Sequence, residues 1–495
     1  MYVFVGQHLR QQLTRCILGV IPIDELPDDV LLAIFDFCVD RDMAQDLLPR
    51  SEPKKKKIEA WWSLVHVCRR WRSLVFGSSR RLNLRLVCTA KTPARDTLDA
   101  CPVLPLFIRC YGDYPPERVD NIVAVLKHSD RVCQIILKGI PSFYLKNVSA
   151  MMQEPFPELT RLRLESLGKM DPVLPDSFLG GSAPRLQSFG LNRISFPGLP
   201  KLLLSTTHLV DLHLFDIPHS GYFSPEATVT CLSRLTNLEK LSLGFRSPQS
   251  YPDPESRRPP PMTRSVLPLL TTFWFKGVNE FLEDVVAHID TPQLNSLYII
   301  IFNQVVFDTV QFTQFTSRTP TLNALEIAHF SFGYQAASVK LSSQTPGYGK
   351  LNLEIPCREL DWQVSSLEQM CTSSVPPFST LEDIYIYEES FWHAHWKDNI
   401  EDTLWLELLQ PFTAVKSLYL SSAFAPCISL ALQDLVEERI TEVLPNLENI
   451  FLEGMSRRGS IQKGIGQFVA ARQVTDHPIT LFLWERDLVD WADGF

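Results

Sequence analysis

Two apolar stretches organise the N-terminal part of the chain: DELPDDVLLAIFDFC at residues 24–38 and WSLVHVCRRWRSLVF at residues 62–76. Pro27 favours the first turn of a helix, and Asp28 and Asp29 would complement the positive end of the helix dipole. Apolar side chains then recur at helical spacing in both stretches. The two stretches predict a short helical module with more apolar surface than it can bury by itself.

These stretches resemble the F-box, the helical module by which substrate receptors dock onto the Skp adaptor of SCF-type ubiquitin ligases. The likeness lies in the order of residue types, from the Leu-Pro pair at 26–27 to Val-Cys-Arg-Arg-Trp at 67–71. By that resemblance the adaptor-binding residues are Leu26, Pro27, Leu31, Ile34, Phe35, Leu64, Val67, Cys68, Trp71 and Leu74. The adaptor would in turn bring cullin and RING subunits. Periodicity alone fits a small helical cap on the following domain equally well.

The polar segment 41–59 departs from the F-box pattern, in which a short turn joins the first helix to the next. It contains four consecutive lysines at 54–57, which we interpret as a solvated loop in preference to a nuclear import signal. Residues 1–21 form an N-terminal extension with apolar side chains four residues apart. That spacing is typical of one helix face, so the segment could pack on the module as a helix. The alternatives are a partly disordered tail and, less favoured, an import peptide.

From residue 157 onward the sequence repeats one phrase, apolar-x-x-apolar-x-apolar. Its ten copies begin at Leu159, Leu186, Leu209, Leu238, Leu270, Leu294, Leu322, Leu381, Val415 and Leu447. Six copies have a proline two residues before the first apolar position, where chance predicts about one at most. The spacing is typical of leucine-rich repeats, each a strand followed by a helix or loop. The long gap before Leu381 predicts a further copy at Leu351 and Leu353, and an earlier copy is predicted at Val132.

The predicted fold class is therefore α/β, with a short N-terminal helical F-box followed by an irregular leucine-rich-repeat solenoid. The asparagine that follows the strand in regular repeats is mostly missing, with Asn192 the nearest approach. The predicted organisation is an N-terminal extension (1–21), an F-box (22–80) with its insertion (41–59), a linker and solenoid cap (81–130), the repeats (131–484) and an acidic tail (485–495). The strand-like segment Ile479–Trp484 would cap the repeats, and the proline-rich segment 247–261 would be a surface loop.

The composition favours a soluble, folded protein. Of 495 residues, 45% are hydrophobic and 21% charged, and no apolar run reaches the ~18 residues of a membrane-spanning helix. The net charge of −9 argues against nucleic acid as a general partner, because phosphate binding needs a positive surface. The 11 cysteines follow no repeated spacing, which favours a reducing compartment, the cytoplasm or the nucleus.

The sequence contains none of the enzyme motifs we sought: no His-Glu-x-x-His, no phosphate loop and no Gly-x-Ser-x-Gly turn. We predict no catalytic residue, metal or cofactor. The most aromatic segment contains the candidate substrate-binding residues Trp392, His393, His395 and Trp396. Aromatic side chains packed under an insertion are an equal alternative. A metal site is disfavoured because no cysteine or third histidine lies within ligand spacing.

The sequence therefore predicts a non-catalytic substrate receptor of an SCF-type ubiquitin ligase. The F-box would bind the Skp adaptor, and the repeats would bind an unknown target protein. The alternative is a protein-interaction scaffold that acts outside any ligase. An enzyme framed by the repeats has no motif to support it.

Overall fold

The chain forms two compact units in a computed structural model. The model describes residues 23–45, 60–78, 82, 85–89, 98, 104–112, 114–168, 170–248, 264–302, 309–345, 349–372, 380–389, 401–433, 435, 437–454 and 459–485. The N-terminal unit comprises Met1–Leu137 and Phe156–Leu159, and the C-terminal unit comprises Lys138–Pro155 and Thr160–Phe495. Each unit is described separately.

The described part of the N-terminal unit starts with three helices, which we call the helical segment. After a 3-10 turn at Ile23–Glu25 they span Asp28–Gln45 (α1), Ala60–Val65 (α2) and Arg69–Gly77 (α3). The carbonyl of Pro27 accepts a hydrogen bond from the N–H of Leu31 at 3.1 Å, so α1 starts at the predicted place. Asp28 and Asp29 lie in its first turn, where they complement the helix dipole.

Helix α1 ends later than the sequence suggests. It continues to Gln45, so the insertion predicted at 41–59 begins inside a helix and not after one. Met43, Ala44 and Gln45 are good helix formers, and no glycine or proline interrupts the chain before Pro49. The four lysines at 54–57 lie outside the described residues.

The remainder of the N-terminal unit adds a small parallel arrangement of strands. Its elements are β1 (Leu86–Cys88), β2 (Leu106–Tyr111), α4 (Pro116–Leu126) and the start of β3 (Val132–Pro141). β1 and β2 pair in parallel, with Leu86 opposite Leu106. The segment predicted as linker and cap, 81–130, thus contains regular elements. The early repeat copy starting at Val132 lies in β3, which contains the boundary between the units.

The C-terminal unit is a mixed α/β structure built on a large, mostly parallel sheet. Its strands are β4 (Arg161–Leu167), β5 (Ser188–Asn192), β6 (Asp211–Ile217), β7 (Lys240–Phe245), β9 (Thr272–Gly277), β11 (Ser296–Ile301), β12 (Ile327–Phe332), β13 (Ala336–Ser342), β14 (Lys350–Pro356), β15 (Asp383–Glu388), β16 (Ser417–Leu420), β17 (Asn449–Glu453) and β18 (Thr480–Trp484). Two short strands, β8 (Ser265–Val266) and β10 (Ile289–Asp290), pair only with each other among the described residues. The α/β class agrees with the prediction.

Helices connect most of these strands. They are α5 (Ser142–Ala150), α6 (Leu199–Leu203), α7 (Pro225–Leu232), α8 (Asn279–Ala287), α9 (Val310–Arg318), α10 (Leu360–Thr372), α11 (Asp402–Leu409), α12 (Ala425–Gln433) and α13 (Gly459–Val474). The helices cover the face of the sheet that carries the apolar repeat positions. A core runs between sheet and helices, in which Trp405 of α11 contacts Phe332 and Phe424.

The repeat phrase sets the register of the sheet. Leu162 pairs with Phe189, Phe189 with Leu212, and Leu212 with Leu241, so equivalent positions of successive copies are direct neighbours. The first, second and third apolar positions are buried in nine of the ten predicted copies. Since side chains alternate across a strand, this register places the intervening residues together on the opposite face of the sheet.

The copy predicted at Leu322 is out of register. Ile327 points to the opposite face and pairs with Asp383, whereas Ala328 and Phe330 are buried and pair with Ile384 and Ile386. The correct copy therefore starts at Leu325. A one-residue slip in a strand moves every side chain to the other face, so packing against β15 decides between the two alignments.

The long gap before Leu381 contains the predicted copy at Leu351, in β14, and an additional strand that the sequence did not reveal. That strand, β13, runs antiparallel to both β12 and β14. As a result β11 pairs with β14, and the order across the sheet is β11, β14, β13, β12, β15. Apolar Ala337, Val339 and Leu341 alternate in β13 and complete the buried face.

The last repeat is fixed by a buried arginine. Arg472 of α13 donates hydrogen bonds to the carbonyls of Ile440, Leu444, Pro445 and Leu447. The predicted end cap at 479–484 forms β18, which pairs in parallel with β17. Leu483 of β18 is 75% exposed, so this final strand presents apolar surface to solvent.

Candidate functional site

The helical segment is held together by an aromatic contact between its first and last helices. Phe35 of α1 and Trp71 of α3 have ring centroids 4.7 Å apart, with planes inclined by 59°. Leu31, one turn before Phe35, and Val75, one turn after Trp71, are fully buried beside them. These four side chains form the core of the helical segment.

Polar groups fix the starts of α1 and α3. Cys68 is the N-cap of α3, and its Sγ accepts a hydrogen bond from the backbone N–H of Trp71 at 3.4 Å. The guanidinium of Arg70 donates to the carboxylate of Asp28 at 2.6 Å and to the carbonyl of Leu26 at 2.6 Å. Arg70 therefore joins the N-terminal turns of the two helices.

The ten predicted adaptor-binding residues divide by exposure into three groups. The buried members are Leu26, Leu31, Phe35 and Trp71. The half-buried members are Ile34, Leu64, Cys68 and Leu74. The exposed members are Pro27 and Val67, and the side chain of Val67 is 59% exposed. The buried group stabilises the helices, which leaves the other two groups for contact with a partner.

Two exposed apolar residues belong with this surface and were not among the predicted binding residues. Phe37 of α1 is 64% exposed and follows Ile34 by three residues, so both lie on one side of the helix. Ile23, in the preceding 3-10 turn, is 44% exposed. The helical spacing of Phe37 from Ile34 was the sequence signal that could have identified it.

The face of the large sheet opposite the helices carries a row of stacked rings, which we call the aromatic ladder. It consists of His329, Tyr385, Tyr419, Phe451 and Phe482, on the neighbouring strands β12, β15, β16, β17 and β18. Successive ring centroids lie 4.4, 4.0, 4.2 and 4.9 Å apart. The spacing of paired strands, ~4.8 Å, is suited to stacking of rings at aligned positions.

The edges of the ladder contact one further ring. Trp484, two residues after Phe482, packs edge-on with its centroid 5.8 Å from Tyr385 and 5.5 Å from Tyr419. Phe482 is 43% exposed, while Tyr385, Tyr419 and Phe451 are half-buried. The ladder is thus an accessible apolar surface that already holds one side chain of its own chain.

Carboxylates flank the ladder. Asp383 precedes Tyr385 by two residues on the same face, and Glu453 follows Phe451 by two. Glu388 accepts a hydrogen bond from Ser421, and Glu389 accepts one from Ser331, at the ends of the neighbouring strands. The ladder therefore has acidic groups at both ends of its strands.

Burial changes the titration of groups at the ladder. It lowers the pKa of His329 to about 4, with Lys340 contributing in the same direction, so the imidazole is neutral at pH 7. Burial also raises the pKa of Asp383, and it raises the pKa of the Tyr385 phenol, which in addition hydrogen-bonds to Tyr419. Both tyrosines remain protonated at neutral pH.

The same sheet face has different chemistry away from the ladder, in the middle of the strand order. Trp274 of β9 stacks on Tyr298 of β11 at 6.2 Å, and the Tyr298 hydroxyl donates to Glu354. Burial and that hydrogen bond raise the pKa of Tyr298. Further along, Arg161, Arg163 and Lys240 occupy the corresponding positions of β4 and β7. Asp211 of β6 lies in the same row and Glu165 on the same face of β4, so this part of the face carries charges of both signs.

An open apolar groove of about 490 Å³ lies beside α5. Exposed Phe143, Leu167, Met170 and Val173 surround it. In the described part of the chain no group of three or more His, Cys, Asp or Glu side chains could hold a metal ion. The predicted substrate-binding residues Trp392, His393, His395 and Trp396 lie outside the described residues.

Comparisons with known proteins identify the helical segment. Residues 20–100 match a family model described as an F-box-like domain, so this part of the chain contains an F-box-like domain. No curated protein matches the chain. A solved structure of the leucine-rich repeat-containing protein LegL7 from Legionella pneumophila is similar with 12% identity, covering 77% of this chain and 97% of that one, at a TM-score of 0.26. Within the described ranges, no helix is both long and apolar enough to span a membrane.

Proposed function

We propose that this protein is a non-catalytic substrate receptor of an SCF-type ubiquitin ligase. Its F-box-like domain binds a Skp-type adaptor, and through it cullin and RING subunits. Its C-terminal unit, an irregular leucine-rich-repeat solenoid, binds the protein to be ubiquitinated. The observation that carries the proposal is the exposed apolar surface of the helical segment, which lies inside the F-box-like match.

The docking surface follows from the division between buried and exposed side chains. Phe37 and Val67 expose more than half of their surface although the segment has an ordered core at Phe35 and Trp71. Large apolar side chains exposed on an ordered helical segment are typical of a protein interface. We therefore assign adaptor binding to Phe37 and to the exposed and half-buried members of the predicted set, with the buried residues maintaining the geometry; those members are Pro27, Ile34, Leu64, Val67, Cys68 and Leu74.

The recognition role of the C-terminal unit is supported by how its strands are aligned. Parallel strands in register place the residues between the repeat positions on one continuous face. Stacked repeats of this kind commonly use such a face for protein recognition. In a receptor of this type the rate of ubiquitin transfer rises because the target lysine is held near the conjugating enzyme, and no acid or base on this chain takes part.

Titration of the full chain with a purified Skp-type adaptor in a calorimeter tests the proposal. We expect a one-to-one complex, and Val67→Glu or Phe37→Glu should weaken it at least about tenfold, ~1.4 kcal/mol. Tyr111→Glu is the matched control, because Tyr111 is 60% exposed in the same unit but outside the helical segment. Failure of the wild-type chain to bind, where an established F-box protein does, would favour the non-ligase scaffold.

A further inference from the structure

We propose that the aromatic ladder and its flanking carboxylates bind an extended, basic segment of a partner protein, rich in lysine and arginine. The inference rests on the proposed receptor function and specifies the chemistry of what the receptor recognises. It is carried by three features of the C-terminal unit: the ladder, the acidic groups at both ends of its strands, and the position of Trp484.

The dimensions of the ladder fit an extended chain that crosses the strands. Five neighbouring strands at ~4.8 Å spacing place the first and last rings about 19 Å apart, which about six extended residues span. Side chains of such a segment meet the half-buried ring of Phe451 and the exposed ring of Phe482, beside Trp484, which covers the edges of Tyr385 and Tyr419. The long aliphatic stems of lysine and arginine pack well on such rings while their charged ends reach outward.

The negative charge around the ladder favours a positively charged partner segment. By strand alternation the described acidic residues on the ladder face are Asp383, Glu389 and Glu453, and five more lie at the ends of these strands: Glu326, Glu382, Glu388, Glu448 and Glu485. The described basic residues near them are Lys340, Lys416 and Arg358; Lys416 forms an ion pair with Glu382 at 2.8 Å, and Arg358 lies over the ring of Tyr334 just after β12. The ammonium and guanidinium groups of a basic segment complement this surface, whereas phosphates of a nucleic acid would be repelled.

Trp484 shows that the ring edges accept a side chain from outside their own strands. Its indole lies against Tyr385 and Tyr419, which are on β15 and β16, although Trp484 itself is on β18. A planar arginine guanidinium resembles the indole in its ability to pack on aromatic surfaces. The contact made by Trp484 thus shows how a planar side chain packs on the ladder, and a partner side chain packs beside it on Phe451 and Phe482.

Fluorescence polarisation with the full chain tests this inference. The probe is a labelled peptide of about ten residues in which lysine or arginine alternates with threonine or valine, compared with versions carrying glutamate or glutamine. We expect the basic peptide alone to bind, with an affinity that falls as salt rises. The double variant Asp383→Asn with Glu453→Gln keeps side-chain shape, and we expect it to weaken binding at least about tenfold.

Variants of the aromatic residues form the second part of the same peptide-binding experiment. Tyr419→Ala should weaken the basic peptide by a similar factor, while Tyr419→Phe should keep the affinity within about threefold because the stacked ring remains. Trp274→Ala is the matched control, an aromatic residue on the same sheet face but away from the ladder, and should leave binding unchanged. Equal binding of acidic and basic peptides, binding of a single-stranded oligonucleotide at the ladder, or equal effects of ladder and control variants would each overturn the inference. The adaptor titration is measured separately, so a failure of peptide binding does not contradict adaptor binding.

Discussion

The helical segment and the large sheet use their patterned residues in different ways. In the helical segment, residues of one motif have two roles, because Phe35 and Trp71 form the core while Pro27 and Val67 are exposed. In the sheet, the patterned positions have one role. They are buried, as Phe275 is, and the residues between them form the accessible face.

This difference shows how surface chemistry depends on the secondary structure that presents it. A helix turns 100° per residue, so a single apolar pattern can face both its own core and a partner. A strand alternates strictly between two faces, so the pattern that builds the core is separated from the residues that meet a partner. A substitution in the sheet should therefore affect either stability or binding, whereas a substitution in the helical segment can affect both.

The largest effect is expected for a core residue of the sheet. Phe275 is fully buried and its ring packs against Phe245, Phe273 and Phe281. Phe275→Ala should lower the free energy of unfolding by about 3–5 kcal/mol, because the cavity cannot fully collapse. Chemical denaturation followed by circular dichroism measures the change. Leu269→Ala is the control, since Leu269 is 46% exposed and should cost little.

A core residue of the helical segment should act locally. Phe35→Ala removes the ring that contacts Trp71, and its cost of about 3–5 kcal/mol falls on three short helices. Amide hydrogen exchange in residues 28–37 and 69–77 should become fast while exchange in the C-terminal unit is unchanged. Phe37→Ala, at an exposed position of the same helix, should leave both regions as they were. Faster exchange throughout the sheet would show that the helical segment is not an independent core.

The sequence predicted different features of the sheet and of the helical segment. The repeat copies were found because six of the ten apolar phrases have a proline two residues before their first apolar position. The copy at Leu322 was misaligned because two overlapping frames, starting at Leu322 and at Leu325, both fit the apolar phrase, and the pairing of β12 with β15 separates them. In the helical segment the motif located the helices, but it did not show that the chain turns between α2 and α3 and exposes Val67 there, whereas Leu31 of α1 is buried.

The aromatic ladder was not predicted from the sequence, because its members are brought together only by the register of strands far apart in the chain. A local signal did exist. Tyr385, Tyr419 and Phe451 each occupy the position between the second and third apolar residues of consecutive copies. Aligning the copies and reading that position would have shown an aromatic column.

A pH-dependent effect is expected at the ladder. The pKa of His329 is about 4 in the folded protein against an ordinary value of 6.5, so the unfolded chain binds the proton more readily. The stability due to neutral His329 is fully present above pH 6.5 and is lost as the pH falls towards 4. At pH 5 the loss should be about 2 kcal/mol.

His329→Phe keeps a ring in the stack and removes the titration. Comparing denaturation midpoints of wild type and variant at pH 7 and pH 5 isolates the histidine, because other titrating groups contribute equally to both. We expect the wild type to lose about 2 kcal/mol more than the variant. Equal losses would mean that His329 is protonated as readily in the folded chain as in the unfolded one.

The smallest effect is expected at the ion pair of the helical segment. The side chains of Arg70 and Asp28 are 38% and 58% exposed, so solvent screens their attraction. A double-mutant cycle with Arg70→Gln and Asp28→Asn should give a coupling energy of about 0.5 kcal/mol. A coupling energy of several kcal/mol would indicate that this contact, and not the apolar core, holds α1 to α3.

Hydrogen exchange of the full chain with and without a Skp-type adaptor tests the central claim most directly. Adaptor docking on the helical segment predicts slower exchange in residues 23–45 and 60–78, with no change in the C-terminal unit from residue 264 to 485. Variants Val67→Glu and Phe37→Glu should abolish that protection. Protection confined to the sheet, or none at adaptor concentrations that protect an established F-box protein, would contradict the assignment of the helical segment as the adaptor-binding site.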